Sequence, residues 1–363
     1  MLALILKRGS GAIMVSQTCL KQDLEFASKL YTLPRVTSTR IARALGTNVT
    51  RIKKLFTLLN FYGVKMQIDV AHSRMGLKLV SILIRGVKVN KPLDIVASSI
   101  PFVKGLAIVV PRSLLIVLQL PSTINVDTTS HDSSSLWSFD FVIRSKPLPH
   151  LLELCMAGLH RALVDQLPKV FEHRYDVPVD ELLNPVRFDG IDLEILYRLQ
   201  LHPHLTLREL ARELGSRPSK IEKHVVDHVE KLVIGYRISR ITTIGNPVVK
   251  HIVLRCRYAY DVCLRLVSHP YVLSCVASRS NYVAVLIQAP PQYGMVFLEK
   301  LISLLESYGC CLEDWFEYCA SKSLFVSTTI PRKGFEYVPT LRTWSRDLDI
   351  DSIVKNVIRM LMS

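Results

Sequence analysis

No run of apolar residues in this chain approaches the ~18 that a membrane-spanning helix needs, although 49% of the residues are hydrophobic. The opening "MLALILKRGSGAIMV" has an apolar stretch too short for a secretory signal, and its charges follow that stretch instead of leading it. Met14 offers an alternative start, which would leave residues 1–13 outside the fold. No CxxC pair occurs among Cys19, Cys155, Cys256, Cys263, Cys275, Cys310, Cys311 and Cys319. Without a secretion signal these read as reduced, mostly buried small hydrophobes. There is no Gly-x-x-x-x-Gly-Lys phosphate loop, no nucleophile elbow and no carboxylate pair in a marked context. Acids are scarce: 31 against 46 Lys and Arg, a formal net charge of +15. That balance favours a polyanion or an anionic surface as partner.

What the chain does have is a repeat. Shifted by 169 residues, it matches itself without a gap from about Asp23 to Pro121. Asp23-Leu24-Glu25 meets Asp192-Leu193-Glu194, Thr37 meets Thr206, and Leu45-Gly46 meets Leu214-Gly215. Ile52 and Lys54 meet Ile221 and Lys223. Matches that fall on caps, turns and core positions in one register indicate duplication of a domain pair, since the period is too long for a solenoid.

Each copy begins with three helices, expected at 22–32, 38–45 and 49–61, then at 192–201, 207–214 and 218–231. In "LTLRELARELGSRPSKIEKHV", Thr206 and Glu209 have capping-box spacing, and Gly215 suits a left-handed corner. A second helix follows with Ile221, Val225 and Val229 inward. This is the layout of a helix-turn-helix. "VKMQIDV" and "VIGYRIS" read as wing strands. In copy two, strands and helices then alternate as βαββαβ: "VVKHIVLRC", "YAYDVCLRLVSHP", "VLSCVAS", "NYVAVLIQA", "YGMVFLEKLISLLESYG" and "LEDWFEYC". Copy one starts alike, with strand "LKLVSILIR", helix "PLDIVASS" and strands "GLAIVV" and "LLIVLQL". It has turn formers where the second helix should stand. "WSFDFVIRS" then reads as a strand, and "LPHLLELCMAGLHRALVDQL" as a long helix, either the displaced second helix or a linker. In the tail, Ile350, Ile353, Val354, Val357, Ile358 and Leu361 share one helix face, suited to packing on its own domain or to dimerisation.

The stretch "GIDLEILYRLQLHPHLTLRELARELGSRPSKIEKHVVDHVEKLVIGY" resembles the opening pattern of the Lrp/AsnC transcription regulators, over about residues 189–330 and more faintly 21–121. The resemblance implies an α+β fold of two winged helix-turn-helix modules, each followed by a ferredoxin-like βαββαβ domain. The expected divisions are a tail at 1–20, a winged module at 21–72, a ferredoxin-like domain at 73–147, a helical linker at 148–188, a second winged module at 189–245, a second ferredoxin-like domain at 246–335 and a terminal helix at 336–363. It further implies a cytoplasmic, non-enzymatic regulator of double-stranded DNA, a homo-oligomer with a small-molecule effector as an option and no cofactor. The family's polar cap before the recognition-helix proline is replaced by Arg217, whereas Asn48 fills that place well in copy one. The Gly-rich turn and acid that precede the family's third sheet strand are missing from both copies.

On this reading Arg40, Arg43, Thr50, Arg51, Lys53 and Lys54 of copy one, and Arg208, Arg217, Ser219, Lys220 and Lys223 of copy two, are the DNA contacts. Copy one is the stronger candidate, because no acid interrupts its bases between Arg35 and Lys65. His224 and His228 have metal-ligand spacing, but the sequence offers no clear third ligand, so they read as core or surface histidines and no metal is expected. Two alternatives stand beside the regulator. One is a decarboxylase-type enzyme of haem biosynthesis with the same architecture, which needs basic and His residues in an inner cleft; Arg279 and Tyr282 are the nearest candidates. The other is an interaction scaffold that has lost DNA binding.

Overall fold

The computed structural model describes residues 4–8, 11–15, 17–87, 89, 93, 96, 103–110, 113–124, 126, 129–131, 134–241, 247–318, 337–338, 343–344 and 350–362. A hairpin, β1 (Leu4–Arg8) and β2 (Gly11–Val15), occupies part of what the sequence suggests is a plain tail. Three helices follow: α1 (Gln17–Ser28), α2 (Ser38–Ala44) and α3 (Val49–Phe61). Asn48 Oδ1 accepts the Arg51 N–H at 2.8 Å, the expected cap. Next come β3 (Val64–Val70), β4 (Leu77–Arg85), β5 (Val103–Val110), β6 (Ser113–Pro121), β7 (Thr129–His131), β8 (Ser134–Phe139) and β9 (Phe141–Arg144). Of the helix expected at "PLDIVASS", only residues 93 and 96 are described, both helical.

The long helix expected next is instead broken into α4 (Pro149–Met156), α5 (His160–Asp165) and α6 (Leu167–Glu172), with Gly158 at φ +73° as the first corner. Leu151, Leu163 and Phe171 of these helices join a core shared by both halves of the chain, with α4 packed on α1 of the first half. A single turn, α7 (Val179–Leu182), leads to α8 (Gly190–Leu201), α9 (Leu207–Glu213) and α10 (Pro218–Asp227). The Thr206–Glu209 capping box is formed, and Arg217 leaves α10 without a side-chain cap. Then come β10 (Val233–Ile241), β11 (Val248–Cys256), α11 (Ala259–Leu266), β12 (Val272–Ala277), β13 (Tyr282–Ala289), α12 (Pro291–Ser307), β14 (Cys310–Tyr318) and the terminal α13 (Ile350–Met362). The fold is α+β with one large antiparallel sheet.

That sheet has the order β7-β8-β4-β6-β5-β14-β11-β13-β12-β9. The halves join where β5 meets β14, with Val109 opposite Tyr318. They join again where β9, from the first half of the chain, pairs with β12. "WSFDFVIRS", expected as one strand, is therefore two, and only Asp140 separates β8 near one end of the sheet from β9 at the other. Chain continuity draws the two ends together. One sheet face encloses Leu79, Val117, Phe139, Val142, Ala284 and Tyr318. On the opposite face of the first half, Ile353, Val357 and Leu361 of α13 pack with Val80, Ile82, Ile116 and Leu118. The terminal helix thus covers its own sheet, where copy one lacks a second helix.

Four cysteines depart from the expectation of reduced thiols. Cys256 and Cys310 stand opposite each other in the β11–β14 register and form a disulfide, as do Cys263 and Cys275. Pairing across 54 residues is a tertiary fact that spacing alone does not reveal.

The wing strands β3 and β10 pair with each other, Gln67 opposite Arg237, and make a ribbon below the sheet. Within it Gly235 passes so close to the first half that a Cβ would lie 2.2 Å from the Tyr31 carbonyl oxygen. Gly235→Ala must displace backbone, and is expected to cost about 1–3 kcal/mol; an unchanged thermal midpoint would contradict this close approach.

Candidate active site

The enclosed sheet face and the β3–β10 ribbon bound a cavity of about 420 Å³, within the usual range for small-molecule sites. Its walls divide by chemistry. Leu79, Val117, Phe139, Val142, Val276 and Leu286 make an apolar side. Lys65, Gln67, Lys104, Arg144, Arg237 and His251 make a polar, cationic one.

Strand alternation explains the polar side. Lys65, Gln67 and Asp69 project from one face of β3, between Met66, Ile68 and Val70, which are buried. Asp69 is fully buried and binds Arg144 at 2.8 Å and Lys146 at 3.2 Å. Lys146, itself fully buried, also donates to the carbonyls of Tyr31 at 2.9 Å and Tyr236 at 2.8 Å. Arg144 Nη2 lies 2.8 Å from His72 Nε2, and the other ring nitrogen of His72 meets Gln119. Lys104 Nζ lies 3.5 Å from Gln119 Oε1, and Arg237 donates to Gln67 Oε1 at 2.8 Å. Three basic side chains, Arg144, Lys146 and Arg237, thus gather around the Asp69 carboxylate, with Lys104 beside them at Gln119.

The excess of positive charge shows in the titration of these groups. Burial, reinforced by Arg144 and Arg237, holds Lys104 well below the ordinary lysine value. Burial, then Lys104, Arg144 and Arg237, likewise hold His72 far down, so it is neutral at neutral pH. Arg237 is pushed down to about 9 by burial and by Arg144, with Asp69 opposing. Burial takes His251 to about 4. Two polar atoms stand ready on the cavity wall: among the described residues, Arg237 Nε and His251 Nε2 are buried with no hydrogen-bond partner. Buried polar atoms left unpaired are uncommon and point to a missing partner. An anionic ligand would supply one and would offset the buried charge.

The residues singled out from sequence lie elsewhere. Arg40 forms a two-pronged ion pair with buried Glu230, at 2.6 and 2.8 Å, and Arg35 joins it at 3.0 Å. Lys53 reaches Glu209 of the other half at 2.7 Å. Arg51 stacks over Phe26 at 5.0 Å. Arg43, Thr50, Lys54, Arg208, Arg217, Ser219, Lys220 and Lys223 are exposed. Arg279 is largely solvent-exposed beside Asp140 at 3.6 Å, and Tyr282 pairs with Arg255 at 2.7 Å; neither lines the cavity. The polar period-two face of β3 and the bases of "VIRSKP" were the available signals for the candidate site.

No protein-family model matches the chain, and neither does any curated protein. Solved structures resemble it, two of them as follows. One is the siroheme decarboxylase NirDL, at 13% identity over 95% of this chain and 99% of that one, with a TM-score of 0.44. The other is the same decarboxylase in co-complex with an iron-uroporphyrin III analogue, at 14% identity over 84% and 90% of the two chains, with a TM-score of 0.42. The expectation of a non-enzymatic DNA-binding transcription regulator is corrected: the solved structures it resembles are enzymes. Within the chain, Arg40 and Lys53 pair with acids of the other half, while a separate set of bases lines an inner cavity. Among the described residues no helix is long and apolar enough to cross a membrane.

Proposed function

We propose that this chain is a decarboxylase-type enzyme of haem biosynthesis, acting on a tetrapyrrole that carries several carboxylates. We also infer that it is built as two units, each a winged helix-turn-helix with a ferredoxin-like domain, divided near residues 148–188. The observation that carries the functional reading is the cluster of Arg144, Lys146 and Arg237 around Asp69, with Lys104 beside Arg144 and Arg237. A flat ligand with an apolar macrocycle and acidic arms fits walls divided into an apolar and a cationic side.

Each decarboxylation breaks a C–COO⁻ bond, releases CO₂ and places a proton on the carbon left behind. Arg144 and Arg237 are suited to binding carboxylates through their planar forks. Lys104, whose ammonium is made more acidic by burial, is suited to giving up a proton. Tyr318, held protonated by burial, adds an exchangeable hydroxyl on the wall.

The test is titration of the purified chain with uroporphyrin III and its iron complex, following the porphyrin absorption band, with mass spectrometry for CO₂ loss. Saturable binding with stepwise CO₂ loss is the expected result. Binding without turnover would leave a carrier or scaffold, and no binding by folded protein would overturn the reading.

A further inference from the structure

Away from the cavity, two acids at the start of α8 meet two histidines of α10. Asp189, Asp192, His224 and His228 each bring one ligand atom within 4.8 Å of all the others. Asp192 is fully buried, and its two oxygens lie 2.9 Å from His224 Nδ1 and 2.9 Å from His228 Nδ1. Asp189 Oδ2 lies 3.7 Å from His224 Nδ1. Its other oxygen accepts the N–H groups of Ile191 and Asp192, and that cap fixes the carboxylate's orientation.

The duplication supplies an independent comparison. Subtracting 169 from 189, 192, 224 and 228 gives Leu20, Asp23, Leu55 and Leu59. The three leucines are buried in the core of copy one, at 1%, 3% and 1% exposure. Copy two therefore puts one carboxylate and two imidazoles where the same scaffold otherwise takes apolar packing. Such an exchange costs stability unless the polar groups gain something that leucine cannot give.

We propose that Asp189, Asp192, His224 and His228 form a structural zinc site that ties α8 to α10. Two imidazoles and two carboxylates are a suitable donor set for tetrahedral Zn²⁺. Metal–ligand bonds of about 2.0–2.1 Å place tetrahedral ligand atoms roughly 3.3 Å apart. Asp192 meets the two histidines through different oxygens at 2.9 Å, Asp189 lies 3.7 Å from His224, and one atom from each residue falls within 4.8 Å of the rest, a spread that small side-chain shifts bring to that spacing. The half-exposed Asp189 and His228 side chains leave a way in from solvent. The site is independent of the enzymatic reading.

Full-length protein stripped with a chelator would be titrated with Zn²⁺ by calorimetry, and with Co²⁺ to read tetrahedral d–d absorption. Expected is one high-affinity ion per chain, with a rise in thermal midpoint. The double variant His224→Leu/His228→Leu, which adopts the residues of copy one, should stay folded and lose affinity by at least about 100-fold. Asp189→Asn keeps the helix cap and should weaken binding while leaving the apo protein's midpoint unchanged. Folded wild type that takes up no zinc, or variants that bind it equally well, would overturn the proposal and leave a hydrogen-bonded His–Asp–His brace.

Discussion

Replacing Asp69 by Ala is expected to remove about 3–5 kcal/mol of stability, a large part of the ~5–15 kcal/mol that holds a domain folded. Asp69 is fully buried between Arg144 and Lys146, and its loss strands two cations that cannot both reach water. Burial pushes its carboxyl up, but Lys146, Arg144 and Arg237 together outweigh burial and hold it below the ordinary value. A carboxyl depressed on folding contributes stability that is fully present above the unfolded value of roughly 4 and lost as pH falls through the folded one. The gap between wild type and variant should therefore be wide at neutral pH and shrink in strong acid. Urea melts across that range read it directly. Equal midpoints at pH 7 would mean that Arg144 and Lys146 find other partners.

Arg237→Met is expected to act the opposite way. Arg237 lines the cavity, with Gln67 as its side-chain hydrogen-bond partner and its Nε unpartnered. Removing it takes away a buried cation that already titrates low, so the thermal midpoint should hold or rise. Affinity for a polycarboxylate should nonetheless fall about 100-fold, near 2.7 kcal/mol. The affinity that remains should fall further as pH rises, because a carboxylate favours protonated Lys104. A variant that loses stability along with binding would make Arg237 a structural residue. One that binds like wild type would remove it from the site.

Local structure was largely legible because its causes are local. The strand "VVKHIVLRC" has the same bounds in sequence and structure, and Asn48, Thr206 and Gly215 cap and turn as their chemistry requires. Where the reading failed, the cause was long-range. Nothing near Asp140 says that the strands on either side of it belong to opposite ends of one sheet. The helix from 148 to 167 breaks at Gly158, and its pieces pack on different halves: α4 on α1, α5 and α6 on α12. The candidate site was missed for a related reason. Alternation on β3 announces that Lys65, Gln67 and Asp69 share a face, but an interior face is assumed apolar until the fold shows what meets it. Exposed bases on α3 and α10 drew attention precisely because surface charge is legible in a helix pattern, and buried charge is not.

The joining of two copies into one continuous sheet releases the site from two-fold symmetry. In a dimer of identical chains every cavity residue would appear twice. Here the partners of Lys65, Gln67, Asp69, His72 and Lys104 at the repeat distance of 169 are Ile234, Tyr236, Ile238, Ile241 and Leu273. The charged corner exists once, and its mirror position is greasy. On the proposed function, one ligand per chain is expected, not two, with its acidic edge toward that single charged wall.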